Sequence, residues 1–308
     1  MAFRRTSSHR GTLLKIVVLL SSRCINSLLV PQVLFESERV LAINKPTDVA
    51  HHNNPETGEL GIITRLRQFY NNSSDENPRL YGVHRLDRVT TGILLLAKDA
   101  EMAGILSGAF RDNHVTKLYV GISSKKPKKK KQGWVRGEMV RGRRKSWYLQ
   151  KETTTGSGTV ASSDFAVTRF FTAGLGGLDE HLTARNGSID GIRPRTCILF
   201  QPHTGKTHQL RVAAKSVGLP LLGDPIYGDG GDDESSRTFL HAAGIHIPSN
   251  ALEGQGPITI WCPPQFAEIL WPEHGSNSFH QILDNLLEKH CECPELLSES
   301  KKKETMGA

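Results

Sequence analysis

Apolar positions along the chain come in short runs separated by polar, Gly- and Pro-rich turns. Residues 33–43, VLFESERVLAI, read as two short strands around the polar turn Glu36–Arg39. Asn44-Lys45-Pro46 follows, and the proline ends the second strand. Residues 51–80 are rich in Asn, Pro, Gly and Ser, with one helix placed near Ile62–Tyr70. The continuous run at 93–97, ILLLA, predicts a strand buried on both faces. Residues 99–111 suit a helix with Asp99 as its N-cap. Further strands are expected at 117–122, Phe165–Phe171 and 196–200, with Gly-, Ser- and Thr-rich loops at 153–163 and 174–193. A helix is expected from about Thr207 to Val217, where Leu210, Ala213, Ala214 and Val217 form an apolar stripe. Gly218 is placed to cap it and Pro220 to stop it. Beyond Pro272 the pattern turns polar. One amphipathic piece remains around Phe279–Leu287, and this Lys- and Glu-rich tail is expected to be mostly disordered. No internal repeat is visible.

Composition narrows the class. With 37% hydrophobic and 23% charged residues, 308 residues suffice for a large core. A net charge of +8 favours an anionic partner such as nucleic acid or a membrane surface. Five scattered cysteines argue against a secreted disulfide framework. Cys291 and Cys293 form a C-x-C with no second pair to close four zinc ligands. The first 35 residues hold no Asp or Glu but carry Arg4, Arg5, Arg10, Lys15 and Arg23. That fits an organellar transit peptide, mitochondrial or plastid; a frayed basic N-terminus on a cytoplasmic protein is the alternative. The apolar run Ile16 to Leu20 is too short to span a bilayer, so no membrane partner is expected. The lysine-rich KKPKKKK at 125–131 reads either as a solvated loop or as a phosphate contact.

Two dense stretches carry the candidate chemistry. In HRLDRVTTGILLLAK, residues 84–98, Asp87 stands between Arg85 and Arg88 just before the buried strand. In HTGKTHQLRVAAKSVGLPLLGDPIYG, residues 203–228, His208, Arg211 and Lys215 share a cationic helix stripe. If the stretches meet, Arg211 would hold Asp87 ionised and oriented, and a carboxylate so held can act as nucleophile or base. The alternative at this level is a buried ion pair that only joins two elements. A metal-dependent hydrolase using His51, His52, His84 and Asp87 is a further rival, but none of the usual metal-site histidine spacings is present.

Together the two stretches closely resemble the catalytic motif and the second long motif of the RluA family of pseudouridine synthases. Three shorter matches lie in the family's order: VLAINKP at 40–46, KLYVGI at 117–122 and FLHAAGIHI at 239–247. The resemblance spans roughly residues 33–270. It implies an α+β fold, with a mixed, largely antiparallel bent sheet flanked by helices and a central catalytic cleft. It implies isomerisation of uridine to pseudouridine in ribosomal or transfer RNA, without metal or cofactor; a monomer is expected. Asp87 would be the essential carboxylate, Tyr119 the ring against the base, and Arg211 the partner of Asp87. Arg85 would fill the space left by a flipped base, a known demand of chemistry on stacked nucleotides. Leu240 would line the uracil pocket, Lys206 would contact phosphate, and His208 would help position the start of the helix.

Three departures from the family pattern stand out. Lys206 replaces the usual arginine of TGR, keeping charge but losing bidentate geometry. Ala213 stands at a common histidine position, and Thr47-Asp48 displaces the glycine after Pro46. The expected organisation is a basic extension at 1–30, a catalytic domain at 31–272 and the polar tail at 273–308. The 30 leading residues are too few for the S4-type RNA-binding domain of some relatives, so the catalytic domain is expected to grip RNA itself. A non-catalytic RNA-binding or ribosome-assembly protein retaining the fold is the alternative function.

Overall fold

The computed structural model describes residues 31–73, 79–128, 130–150, 164–176, 178, 194–228, 237–271 and 275–306. The N-terminal extension and most of the two expected Gly-rich loops lie outside the described residues. Among the described residues, eleven strands form one sheet: β1 (Val33–Glu36), β2 (Val40–Lys45), β3 (Tyr81–Gly82), β4 (Thr91–Ala97), β5 (Thr116–Ser123), β6 (Gln132–Arg141), β7 (Trp147–Gln150), β8 (Phe165–Gly174), β9 (Thr196–Pro202), β10 (Leu240–Ile247) and β11 (Ile258–Trp261). The helices flanking it are α1 (Ile62–Ser73), α2 (Ala100–Arg111), α3 (Gln209–Ser216), α4 (Phe266–Leu270), α5 (Gly275–His290) and α6 (Pro294–Met306). Among the described residues, no helix is long and apolar enough to cross a membrane.

The strand order is β1-β2-β4-β10-β5-β9-β8-β6-β7, with β11 beside β10 and β3 beside β4. Every pairing of these strands is antiparallel except β4 with β10, which run parallel over Thr91–His241 and Gly92–Ala242. This is the mixed, largely antiparallel sheet expected. The parallel contact depends on a glycine. Gly92 has φ +105°, and a Cβ there would lie 2.3 Å from the Ala242 carbonyl oxygen. The Thr91 hydroxyl meets His241 Nδ1 at 2.8 Å, while His241 Nε2 faces the Cys262 carbonyl at 3.0 Å. The carbonyl can only accept, so Nε2 carries the ring proton and Nδ1 accepts from Thr91.

Strand β4 is buried along its whole length. Ile93 and Leu95 pack toward α2, with Met102 and Leu106, while Leu94 and Leu96 pack toward α1, with Ile62 and Leu66. That two-sided burial is why the run is continuously apolar rather than alternating. Helix α2 starts where expected, the Asp99 carboxylate accepting from Met102 N at 2.8 Å.

The tail departs from expectation. Residues 275–306 form α5 and α6 instead of a disordered segment. Phe279, Leu283, Leu286 and Leu287 of α5 and Leu296 of α6 pack against Leu118, Val120, Leu199 and Trp261 on the back of the sheet. High polar content reflects the outer faces of these helices, and the apolar stripe around Phe279–Leu287 was the informative feature. Phe279 is fully buried and stacks on Trp271 at 5.3 Å between ring centroids. Phe279→Ala is therefore expected to cost about 3–5 kcal/mol, read as a lowered midpoint in denaturant unfolding.

Candidate active site

The turn carrying Asp87 is fastened at three points. Leu86 is buried among the side chains between β4 and α1. Thr90 N donates to the Asp87 carbonyl at 3.1 Å. Lys45, from the NKP stretch, is wholly buried and donates to the carbonyls of Pro46 at 2.8 Å and Arg88 at 3.1 Å. Burial lowers the Lys45 ammonium to about 8, against the opposing pull of the Asp48 and Asp87 charges. The displaced glycine after Pro46 has a local solution: Asp48 takes φ +59°, the left-handed conformation a glycine enters without strain. His84 is structural. Its Nε2 accepts from Leu95 N at 2.9 Å and its ring stacks on Phe110 at 4.5 Å. Burial pushes its pKa down to about 3, so it stays the neutral acceptor that this bond requires.

The facing wall comes from α3. Gln209 organises the turn before it: its side-chain oxygen accepts from Thr204 Oγ1 and Lys206 N, both at 2.8 Å, and its amide donates to Thr168 Oγ1 at 2.8 Å and to the Val167 carbonyl at 3.0 Å. At the far end Gly218 takes φ +78°, Gly218 N bonds to Lys215 O and Leu219 N to Ala214 O, each at 3.0 Å. These are the two bonds of a Schellman cap, as the glycine implied. Leu210, Ala213 and Ala214 face Phe200, Leu221 and Leu240, which fixes the rotation of the helix.

That rotation sends Arg211 inward, where it is 3% exposed. Its Nη1 stands 3.5 Å from Asp87 Oδ2, so the two stretches meet as expected. The tighter partner was not foreseen. Arg211 Nε and Nη2 bind Asp224 Oδ2 and Oδ1, both at 2.7 Å, in a bidentate pair. Asp224 Oδ1 also accepts from the backbone N–H of Ile226 and Tyr227. Arg211 thus bridges a fully buried carboxylate and a cleft-facing one, with the Tyr227 ring 5.1 Å from its guanidinium. Tyr227 also bonds forward: its oxygen accepts from Trp147 N at 2.7 Å, leaving its hydrogen for His208 Nδ1 at 2.9 Å. His208 holds φ +57°, so this bond secures a strained residue at the helix start.

Burial alone would favour a neutral Asp224. The Arg211 hydrogen bonds and charge outweigh it and hold the carboxyl below its usual range. A depressed folded-state pKa contributes stability in full above the unfolded value of about 4, and that stability is lost as pH falls toward the folded value. Asp224→Asn should accordingly flatten the acid limb of a stability–pH curve, followed by thermal unfolding between neutral pH and about pH 3.

Between the two walls lies a cleft of about 460 Å³. Asp87, Arg85, Tyr119, Leu240, Lys206 and His208 all line it, and Arg211 lies beneath Asp87. Among the described lining residues, Asp87 is the single carboxylate. Its side chain is 17% exposed, open to a ligand yet backed by a cation. Tyr119 enters from β5, half-buried beside Leu240 of the neighbouring strand. Burial, and then the Asp87 charge, push its phenol well above the usual value, so it stays protonated at neutral pH. The metal-ligand set of His51, His52, His84 and Asp87 does not form. Among the described residues, the one group of three with ligand atoms close enough, within 4.8 Å, is His246, Cys293 and Glu295. Of the functional residues missed in the sequence, Gln209, Asp224 and Tyr227 all lie inside the second long motif; the undivided GDPIYG turn was the available signal.

The RNA pseudouridylate synthase family model matches residues 39–216. A Haemophilus influenzae protein described as an uncharacterized RNA pseudouridine synthase is 34% identical over 216 residues, 70% of this chain and 81% of the relative. The Rickettsia prowazekii ribosomal large subunit pseudouridine synthase C is 30% identical over 221 residues, 71% of this chain and 64% of the relative. Among solved structures, human RNA pseudouridylate synthase domain containing 1 superposes with a TM-score of 0.59 at 23% identity, covering 80% of this chain and 88% of that one. This last likeness concerns the fold.

Proposed function

The chain belongs to the RNA pseudouridylate synthase family and is an RNA pseudouridine synthase, and we propose that it modifies uridines of ribosomal or transfer RNA with Asp87 as its essential carboxylate. The observation that carries this reading is the 3.5 Å approach of Arg211 to Asp87 at the floor of a cleft lined by Tyr119 and Leu240. The name of the Rickettsia relative supports a ribosomal substrate.

The reaction breaks the N1–C1′ bond of an everted uridine, turns the uracil and joins C5 to C1′; C5 loses a proton and N1 gains one. Two routes use the same carboxylate. Asp87 removes the ribose 2′-proton to give a glycal as the uracil leaves and returns it as C5 bonds to C1′, or its oxygen bonds to C1′ as the uracil leaves and is displaced when C5 attacks C1′. Both act through the Asp87 carboxylate, which the Arg211 guanidinium backs at 3.5 Å. Tyr119 stacks against the base beside Leu240, and its un-ionised phenol keeps a second negative charge away from Asp87. Arg85, exposed at the rim, stacks in the gap left by the everted nucleotide. Lys206 meets a phosphate, and His208 holds the start of α3. No step of this reading draws on a cofactor.

Pseudouridine mapping by carbodiimide labelling and primer extension tests the reading. Defined stops are expected to vanish from cells lacking the protein and to return with the wild-type chain; an identical map with and without it would remove the proposal. The exposed Lys125, Lys126, Lys128, Lys130 and Lys131 are proposed to hold RNA phosphates outside the cleft. Replacing the lysines at 128–131 with Gln should weaken RNA binding and flatten its salt dependence by about 0.7 in log–log slope for each phosphate no longer neutralised. An unchanged slope would make that run a solvated loop.

A further inference from the structure

Lys117 has no role in the chemistry above. It lies on β5 two residues before Tyr119 and on the same face, about 7 Å away along the strand. It lines the cleft and is only 7% exposed. Among the described residues its ammonium makes no hydrogen bond and no ion pair. The other deeply buried lysine of the site, Lys45, is different, since two carbonyl oxygens receive its protons. The Lys117 stem is buried while its ammonium reaches the cleft, and a recessed cation without a protein acceptor marks a place where a ligand completes the arrangement.

The surroundings define the missing acceptor. Asp87, the single carboxylate among the described lining residues, is engaged by Arg211. The other charged lining groups, Arg85, Arg111 and Lys206, are cations. Burial alone lowers the Lys117 pKa, to about 8, with no carboxylate acting to raise it, whereas Asp87 acts on Tyr119. The cleft thus divides along β5. Tyr119 stands at the Asp87 end, where the base is processed, and Lys117 stands at the other end with an uncompensated positive charge. A uracil carbonyl is neutral and cannot balance that charge, but a phosphodiester can.

We infer that Lys117 is a phosphate subsite, its ammonium donating to a phosphodiester oxygen of the RNA strand next to the everted uridine. The inference rests on the RNA reading given above. It makes Lys117 a positioning residue, setting how far the strand enters the cleft and so where C1′ stops relative to Asp87.

Binding of a short oligouridylate, measured across a salt series in an Asp87→Asn background, tests it without turnover. Lys117→Met is expected to flatten the log–log salt slope by about 0.7 and to weaken binding about tenfold at low salt. Lys117→Arg is expected to keep the slope. The ligand-free Lys117→Met protein should also unfold at a higher temperature than its parent, because a partly desolvated cation without a partner has gone. A purely structural lysine would lower that temperature when replaced. An unchanged salt slope, or a loss of thermal stability shared by Lys117→Met and Lys117→Gln, would overturn the subsite. Pseudouridine mapping is a separate measurement: an unchanged map beside a flattened slope would defeat the catalytic reading and leave the phosphate contact standing.

Discussion

Asp87→Asn is expected to reduce pseudouridine formation by at least about a thousandfold, about 4 kcal/mol of activation free energy, while RNA binding and thermal stability stay close to wild type. The asparagine is nearly isosteric but has no anion to take a proton or bond to C1′. The fold should tolerate it because Asp87 is on the cleft side of the Arg211 bridge. Arg211 keeps its bidentate bonds to Asp224, both 2.7 Å, and gives up only the longer 3.5 Å approach. Turnover followed by tritium release from C5-labelled uridine transcripts, with binding measured in parallel, separates the two properties. Full turnover by Asp87→Asn would remove the carboxylate from the mechanism. Loss of binding together with turnover would make it an RNA-positioning group instead.

The second large effect belongs to Arg211, and it has two parts that can be separated. Arg211→Met leaves Asp224 fully buried, with two backbone N–H donors and no cation. Stranding one member of a buried ion pair costs about 3–5 kcal/mol, so the variant should unfold much more easily. Catalysis should fall as well, since Asp87 loses its cation. The double variant Arg211→Met/Asp224→Leu discriminates between the two losses. Replacing both members of a buried pair with apolar residues is often neutral or stabilising, so stability is expected to recover. Activity is not, because nothing then backs Asp87. Equal recovery of both would mean that Arg211 serves the fold alone.

Much of this site could be read from local pattern. The ILLLA run announced a strand covered on both sides, Asp99 announced the start of α2, and Gly218 announced the end of α3 with its two capping bonds. The rotation of α3, and with it the inward direction of Arg211, followed from the stripe of Leu210, Ala213 and Ala214. What escaped depends on chain reversal. Asp224 meets Arg211 only because the chain folds back after Leu222, and nothing in residue spacing tells a turn carboxylate facing solvent from one facing the protein. The hairpin of β6 and β7 escaped for another reason. Its alternation is present in the structure, with Val135, Gly137 and Met139 inward, but glycine at the central position blurs the apolar period. In the tail, polar outer faces outweighed a four-residue stripe until the sheet behind it was visible.

That late-coming stripe has a consequence for biosynthesis. The wall behind β5 is completed by Leu270, Trp271, Phe279, Leu283, Leu287 and Leu296, all translated long after Tyr119. A growing polypeptide therefore emerges from the ribosomal tunnel with the rear of its sheet bare, and holdase chaperones are the expected cover for that interval.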